Sequence, residues 1–323
     1  MSQTHHHRSR AWAPFSSRPS HVLTVDDHTH LHSTIDFSKE MAEQASELHQ
    51  PVQQTYSAEQ LLDFAQYAGV GQIIDVGCEL PDWPIALDLA RRFPDRVHAA
   101  LAIHPVEAVR HGHRAVAGPD GLEVHYDPWH DVSYADAFAQ LSQIAKQGKD
   151  EGLVVAIGET GLDFFRVGQS AHSLQISAFR DHIALAKELN LPMQIHDRDA
   201  DQECMDTLLA DGSPEVTIFH SFAGNGEMAR VSRENGWYLS FSGTVTFRTN
   251  EAIRDGLGEI DRSHILVETD APYLTPMPWR GRTNASYLVP YTMAVMADVL
   301  DMSVDEVAQL THDNACRAYG LPQ

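Results

Sequence analysis

The sequence predicts an α/β protein built as a single TIM-type (β/α)8 barrel. Three observations carry that expectation. From Val22 onward eight short apolar runs alternate with longer helix-patterned stretches, and 323 residues suit one such barrel. The runs lack clean alternation, as strands buried on both faces do. No G-x-G-x-x-G, P-loop or G-x-S-x-G elbow marks an open doubly wound sheet.

Taken in order, the expected strands are Val22–Asp27, Gln72–Gly77, Val97–Ile103, Leu153–Glu159, Pro192–His196, Val216–His220, Trp237–Ser242 and Ile265–Thr269. Helical patterns fall over Ala58–Ala68, Ile85–Arg92, Ser133–Lys149, Ser173–Leu189, Ala200–Ala210, Glu227–Glu234, Glu251–Leu257 and Tyr287–Leu300. An extra C-terminal helix starts at Ser303, where Ser-Val-Asp-Glu reads as a capping box, and ends near Gly320. Two insertions, 33–57 and 106–132, follow predicted strands and would lie over the C-terminal mouth, as surface decoration or as a lid shaping the substrate. Residues 1–20 carry three arginines and no acid, lack the apolar stretch of a signal peptide, and read as a disordered arm. The barrel is then 21–323.

The formal charge is −22. Such acidity speaks against a protein that clamps many phosphates with a basic stripe. No apolar run is long enough for a membrane helix, so no membrane is expected. Cys78, Cys204 and Cys316 are far apart, odd in number and without C-x-x-C, which fits small part-buried hydrophobes in a reducing, cytoplasmic setting.

The chain has 20 histidines, so H-x-H pairs are expected by chance, and position must choose among them. His28 and His30 follow directly on Val22-Leu-Thr-Val, where strand period two turns both rings to one side. The same placement selects Glu159, His196, His220 and Asp270, at the ends of predicted strands 4, 5, 6 and 8. That is the face on which barrel enzymes build their sites. Imidazoles and carboxylates gathered there without a cation would cost several kcal/mol. Four imidazoles and two carboxylates exceed the needs of one tetrahedral zinc and suit two divalent cations. Glu159 would then bridge them, with Asp270 beside the water. Such a pair brings the pKa of water toward about 7 and stabilises both oxygens of an in-line displacement, the chemistry of phosphoester hydrolysis. The nitrogen-rich set favours Zn²⁺, Mn²⁺ or Co²⁺ over Mg²⁺.

These residues resemble a known family. Val25-Asp-Asp-His-Thr-His-Leu, Ile157-Gly-Glu-Thr-Gly-Leu-Asp-Phe, Ile195-His-Asp-Arg, Phe219-His-Ser-Phe-Ala-Gly and Val267-Glu-Thr-Asp-Ala-Pro-Tyr-Leu-Thr-Pro look like the TatD family of metal-dependent deoxyribonucleases. Ile103-His-Pro, Arg280-Gly-Arg-Thr-Asn and Asn314-Ala-Cys-Arg-Ala-Tyr-Gly-Leu support it, and the likeness spans about 25–321. It implies an amidohydrolase-type barrel, two divalent cations (Zn²⁺, Mn²⁺, Co²⁺ or Mg²⁺), and hydrolysis of nucleic-acid phosphodiesters. It carries the ligand role to His28, His30, Glu159, His196, His220 and Asp270. His104 is expected to meet a substrate phosphate, and Arg198, Arg280 and Arg282 are further phosphate candidates.

The sequence departs from the family pattern at His32, where Asp or Asn is usual, at Asp27, where a hydroxyl residue is usual, and at Ala285-Ser286 in place of Glu-Pro. His32 reads as a surface residue, with a phosphate contact or an additional ligand as the sharper alternatives. The expected enzyme is a DNase working as a monomer on single-stranded or frayed ends. The alternative is a related barrel hydrolysing a small ester or amide, or an aminoacyl-tRNA ester. The subclass that bridges its metals with a carbamylated lysine is disfavoured, because no lysine lies between Glu151 and Arg180. A scaffold with a vestigial site is disfavoured by the full ligand set.

Overall fold

A computed structural model of the chain describes residues 11–15, 20–47 and 54–322. Eight strands form one parallel sheet in sequential order: β1 Thr24–Thr29, β2 Val70–Gly77, β3 Val97–Leu101, β4 Val154–Asp163, β5 Met193–Arg198, β6 Thr217–Phe219, β7 Tyr238–Phe241 and β8 Ile265–Val267. The helices among the described residues are α1 Leu31–Glu47, α2 Ala58–Tyr67, α3 Asp82–Arg92, α4 Pro105–Arg110, α5 Tyr134–Asp150, α6 His172–Leu189, α7 Asp201–Asp211, α8 Gly226–Glu234, α9 Glu251–Glu259, α10 Val289–Leu300 and α11 Val304–Tyr319. This is the expected amidohydrolase-like TIM barrel. None of the described helices is long and apolar enough to cross a membrane.

Strands such as β1, β3 and β7 are buried along their whole length, β1 even though it carries Asp26, Asp27 and His28. Inside the barrel Val25, Val76, Ala100, Ala156, Ile218 and Leu266 pack together and onto Tyr319 of α11. Thr311 of α11 bonds Thr24 at the start of β1, and Asn314 bonds the Ile265 carbonyl at the start of β8. So α11 covers the N-terminal end and leaves the other end to chemistry. Its start is the predicted capping box: Ser303 Oγ accepts from the Glu306 N–H while the Glu306 carboxylate accepts from the Ser303 N–H.

No backbone ladder joins β8 to β1; β8 pairs with β7, and β1 with β2. Asp26 closes that seam instead, accepting the Thr269 N–H at 2.8 Å and the Thr269 hydroxyl at 2.6 Å. Two backbone bonds continue the seam toward the mouth. The Asp270 N–H donates to the His28 carbonyl at 3.0 Å, and the His30 N–H to the Ala271 carbonyl at 2.8 Å.

Three expectations need correction. The predicted fourth strand ends at Glu159, yet β4 runs on to Asp163 because Thr160–Asp163 stays paired with Ile195–Arg198. The ladder is irregular between Ile157 and Thr160, and such an irregularity re-aims a side chain out of simple alternation. The insertion 33–57 is not a loop in its first part: α1 continues directly from β1, while residues 48–53 lie outside the described residues. Of the arm expected to be disordered, residues 1–10 and 16–19 lie outside the described residues, whereas 11–15 packs on the body. Trp12 bridges to Thr283, Ala13 is buried and its carbonyl accepts from the Tyr287 hydroxyl, and Phe15 packs on Phe64, Tyr67 and Tyr287. The insertion 106–132 begins as α4 and ends in a short 3-10 turn, Pro128–Asp131.

Candidate metal centre

The β1–β8 seam sets the first group of side chains. His28 Nε2 stands 3.9 Å from Glu159 Oε2 and 4.0 Å from Asp270 Oδ1. His30 Nε2 stands 3.6 Å from Glu159 Oε1 and 3.4 Å from Asp270 Oδ1. Nδ1 of His30 is 2.8 Å from the Val76 carbonyl oxygen. A carbonyl only accepts, so Nδ1 carries a proton whatever the charge of the ring, and Nε2 is the atom presented to the mouth. Asp270 sits at φ +52°, a left-handed conformation uncommon outside glycine, and the backbone bonds of the seam hold it there.

Glu159 lies at the centre. Its Oε2 is 2.6 Å from His220 Nε2 and 3.2 Å from His196 Nδ1, and its Oε1 is 3.9 Å from His104 Nε2. The glycine two residues on is required: a Cβ at Gly161, φ +137°, would stand 2.1 Å from the His196 carbonyl oxygen. That close approach of β4 to β5 brings Glu159 and His196 together. Two more carboxylates stand behind the imidazoles. Asp163 Oδ2 is 3.2 Å from His196 Nε2, and Glu268 Oε1 is 3.3 Å from His220 Nδ1. The second contact fixes the His220 tautomer with its proton on Nδ1 and Nε2 toward Glu159, as second carboxylates do for metal-binding imidazoles.

His28 is different from all of these. It is wholly buried, and neither ring nitrogen has a hydrogen-bond partner. Burial and the neighbouring His220 ring hold its pKa well below the usual imidazole range, so both the neutral ring and a lone pair are available. Burial opposes charge on His30, His196 and His220 as well, but nearby carboxylates outweigh it. Asp270 and Glu159 raise His30; Asp163 and Glu159 raise His196 to about 9; Glu159 and Glu268 raise His220 strongly. Glu159 itself is held well below the carboxylate range, because His220 and the hydrogen bonds from His196 and His220 outweigh its burial. Those protons occupy the lone pairs that a divalent cation would take, so binding a cation would release protons. The geometry and the donor chemistry fit divalent metal: His28, His30 and Asp270 present ligand atoms within 4.8 Å of one another, and so do His28, Glu159 and His220, and His104, Glu159 and His196.

All six sequence-selected ligands are therefore brought to one mouth. His104 joins them: as N-cap of α4 its Nδ1 accepts from the Val106 N–H, leaving Nε2–H toward the site. Burial and His196 lower its pKa to about 4, so it is a neutral donor. Arg198 and Arg280 lie further out, exposed, with guanidinium carbons 4.3 Å over the rings of Phe165 and Phe247. Arg282 is exposed too. Among the described residues none of the three has a carboxylate within 4.0 Å. His32 is not a surface residue. It is buried, with Nδ1 3.1 Å from Asp75 and Nε2 3.6 Å from Asp82, and those carboxylates outweigh burial to raise its pKa to about 10.

Sequence reasoning missed Asp163 and Glu268. Period two was the available signal: Asp163 is four residues beyond Glu159, and Glu268 two before Asp270. It also missed Cys78, whose Sγ lies 3.4 Å from Glu159 Oε1, and a second group, Glu79, Glu107 and His130, beside the site.

The sequence profile of a family described as TatD related DNase matches residues 25–320. The chain is 37% identical over 267 residues to the metal-dependent hydrolase TatD of Mycobacterium tuberculosis, covering 81% of this chain and 90% of that one. It is 34% identical over 264 residues to the metal-dependent hydrolase YabD of Bacillus subtilis, covering 81% and 92%. Among solved structures, the TatD homolog YJJV of Escherichia coli superposes with a TM-score of 0.69 at 24% identity, covering 93% of this chain and 98% of that one.

Proposed function

The chain belongs to the TatD-related DNase family and is a metal-dependent hydrolase; from that premise we propose that it cleaves DNA phosphodiester bonds, working as a monomer from single-stranded or frayed ends. The observation that carries the reading is His28, a wholly buried imidazole with two unpartnered nitrogens, of which Nε2 faces Glu159 and Asp270. A buried polar group left unsatisfied costs about 1–3 kcal/mol, which a cation on Nε2 would offset.

His28, His30, Glu159, His196, His220 and Asp270 would hold two divalent cations, Zn²⁺, Mn²⁺, Co²⁺ or Mg²⁺. Bound there, the cations supply Lewis-acid polarisation of a phosphoryl oxygen and a lowered pKa for water. The chain's own residues do the rest. Asp270 orients the attacking water and takes its proton, being the carboxylate least enclosed by imidazoles. Asp163 and Glu268 keep the His196 and His220 rings in place while charge develops. His104 donates Nε2–H to a phosphate oxygen without adding charge that would trap the product. Arg198, Arg280 and Arg282 take flanking phosphates, two of them resting over the rings of Phe165 and Phe247.

The charge of −22 limits the footprint. Bound at those residues, two divalent cations would invert the field at the mouth, and repulsion from remote acidic surface is screened beyond about 8 Å at physiological salt. The grip on duplex DNA is therefore weak and short. The test gives the purified protein Mn²⁺, Co²⁺, Zn²⁺ or Mg²⁺ with end-labelled single-stranded DNA, and separately p-nitrophenyl phosphodiesters and acyl esters. Metal-dependent shortening of the DNA, abolished by EDTA, is expected. Intact DNA under every metal, with brisk acyl-ester turnover, would sink the nuclease reading in favour of the ester or aminoacyl-tRNA alternative.

A further inference from the structure

Cys78 is the first residue beyond β2, and nothing above uses it. Its backbone is held from both sides: its N–H donates to Asp82 Oδ2 at 3.3 Å, and its carbonyl accepts from the His104 N–H at 3.0 Å. This places Sγ 3.4 Å from Glu159 Oε1, with His30, Cys78 and Glu159 presenting ligand atoms within 4.8 Å of one another. His30 Nδ1 is spent on the Val76 carbonyl, two residues before Cys78, so β2 itself turns Nε2 toward the thiol's side of the mouth. Independently, the buried His28 ring points an unpartnered nitrogen at the other oxygen of the same Glu159, 3.9 Å away. One carboxylate thus has the thiol and the His30 ring on one oxygen and the unpartnered His28 ring facing the other.

We propose that Cys78 is a metal ligand: its thiolate joins His30 and Glu159 at one cation position and biases the centre toward Zn²⁺ or Co²⁺ over Mg²⁺ and Mn²⁺. On binding, the S–H bond breaks, its proton leaves to solvent, and a sulfur–metal bond forms, with no change of oxidation state. Soft thiolate favours these ions, whereas carboxylate and water suit magnesium and manganese. A metal-bound thiol is deprotonated outright. Serine is a poor substitute because its hydroxyl, on the same Cβ, is a harder and far weaker acid than the thiol.

The inference rests on the metal-dependent reading of the site, and the test separates the two. Co²⁺ is titrated into the metal-stripped full-length protein, and absorption is recorded from the near ultraviolet to the visible. Visible ligand-field bands report bound cobalt; a near-ultraviolet sulfur-to-cobalt charge-transfer band reports the thiolate. The wild type is expected to show both, and Cys78→Ser and Cys78→Ala to keep the visible bands and lose the other. X-ray absorption of the zinc-loaded wild type, which needs no variant, is expected to show sulfur at about 2.3 Å. Bound cobalt or zinc without the sulfur signature in the wild type would overturn the role of Cys78 and leave the proposed function standing. A charge-transfer band that survives in both variants would overturn it as well. Absence of any cobalt band would overturn the metal centre, and this inference with it.

Discussion

Two histidine–carboxylate clusters lie beside each other at the C-terminal end of the barrel, made of the same residue types and finished differently. Around Glu159 the nitrogens converge on one space, and His28 has no partner on either side of its ring. Around Glu107 the polar atoms are tied off. His130 Nδ1 accepts from the Asp127 N–H and its Nε2 meets Glu107 Oε2, both at 2.7 Å. Arg110 takes the other Glu107 oxygen at 2.7 Å, and the Trp129 indole N–H donates to Glu79 at 2.6 Å. Glu79, Glu107 and His130 also present three ligand atoms within 4.8 Å. The difference teaches that residue type and proximity leave the two clusters unequal: only the first holds a buried imidazole with no partner. The second cluster fastens the end of the 106–132 insertion to the loops after β2 and β3, so the insertion is a latched wall and not a free flap.

The largest effect that could break this contrast is catalytic. Asp270→Asn and Glu159→Ala are expected to lower DNA hydrolysis by roughly 10²–10⁴, as loss of a positioned acid–base group does. Glu107→Gln is expected to leave it within a few-fold. Equal losses in both clusters, measured on folded proteins of unchanged circular dichroism, would erase the distinction. Stability inverts the order. His130→Ala strips Glu107 of a buried partner and is expected to cost about 1–3 kcal/mol in urea unfolding, with metal content unchanged.

A smaller effect concerns pH. Burial and the adjacent Glu107 raise the Glu79 pKa from 4.5 to about 8. Because the folded-state value is the higher, this group's contribution is fully present below pH 4.5 and is lost as pH rises through 8. Glu79→Gln should therefore flatten the fall in unfolding midpoint between about pH 5 and about pH 8. An unchanged slope would show that burial and Glu107 do not hold the Glu79 proton. The smallest effects are at the rim: Arg198→Gln and Arg282→Gln should each raise KM a few-fold at unchanged kcat. The salt slope of binding should stay well below that of a protein making about 6–10 phosphate contacts.

Much of the first cluster was legible in the sequence because it obeys local rules. His28, His30, Glu159, His196, His220 and Asp270 each follow an apolar run, and a barrel sends the ends of its strands to one place. The barrel order was legible for the same reason. What was not legible depends on folding back. Asp163 was hidden because β4 outlasts its apolar run, held by pairing with β5. His32 read as a surface residue, since nothing nearby in sequence announces Asp75 and Asp82. Glu79, Glu107 and His130 come from three separate segments, and no period links them. The helix α1 was missed because its sequence, Leu-His-Ser-Thr-Ile-Asp-Phe-Ser-Lys-Glu, has no apolar stripe wide enough to mark a buried face. Residues 11–15 were assigned to a disordered arm on composition, yet Trp12 and Phe15 supply enough apolar surface to dock.

The central claim is that unspent lone pairs, and not residue types, decide which cluster takes metal. Metal analysis of protein equilibrated with Zn²⁺ and then dialysed tests it directly, on the wild type, on His28→Ala and on the Glu107→Gln/His130→Ala pair. The account predicts two ions per chain in the wild type, two when the Glu107 cluster is dismantled, and a loss of at least one in His28→Ala. Metal that stays when His28 is removed but leaves with Glu107 and His130 would contradict it.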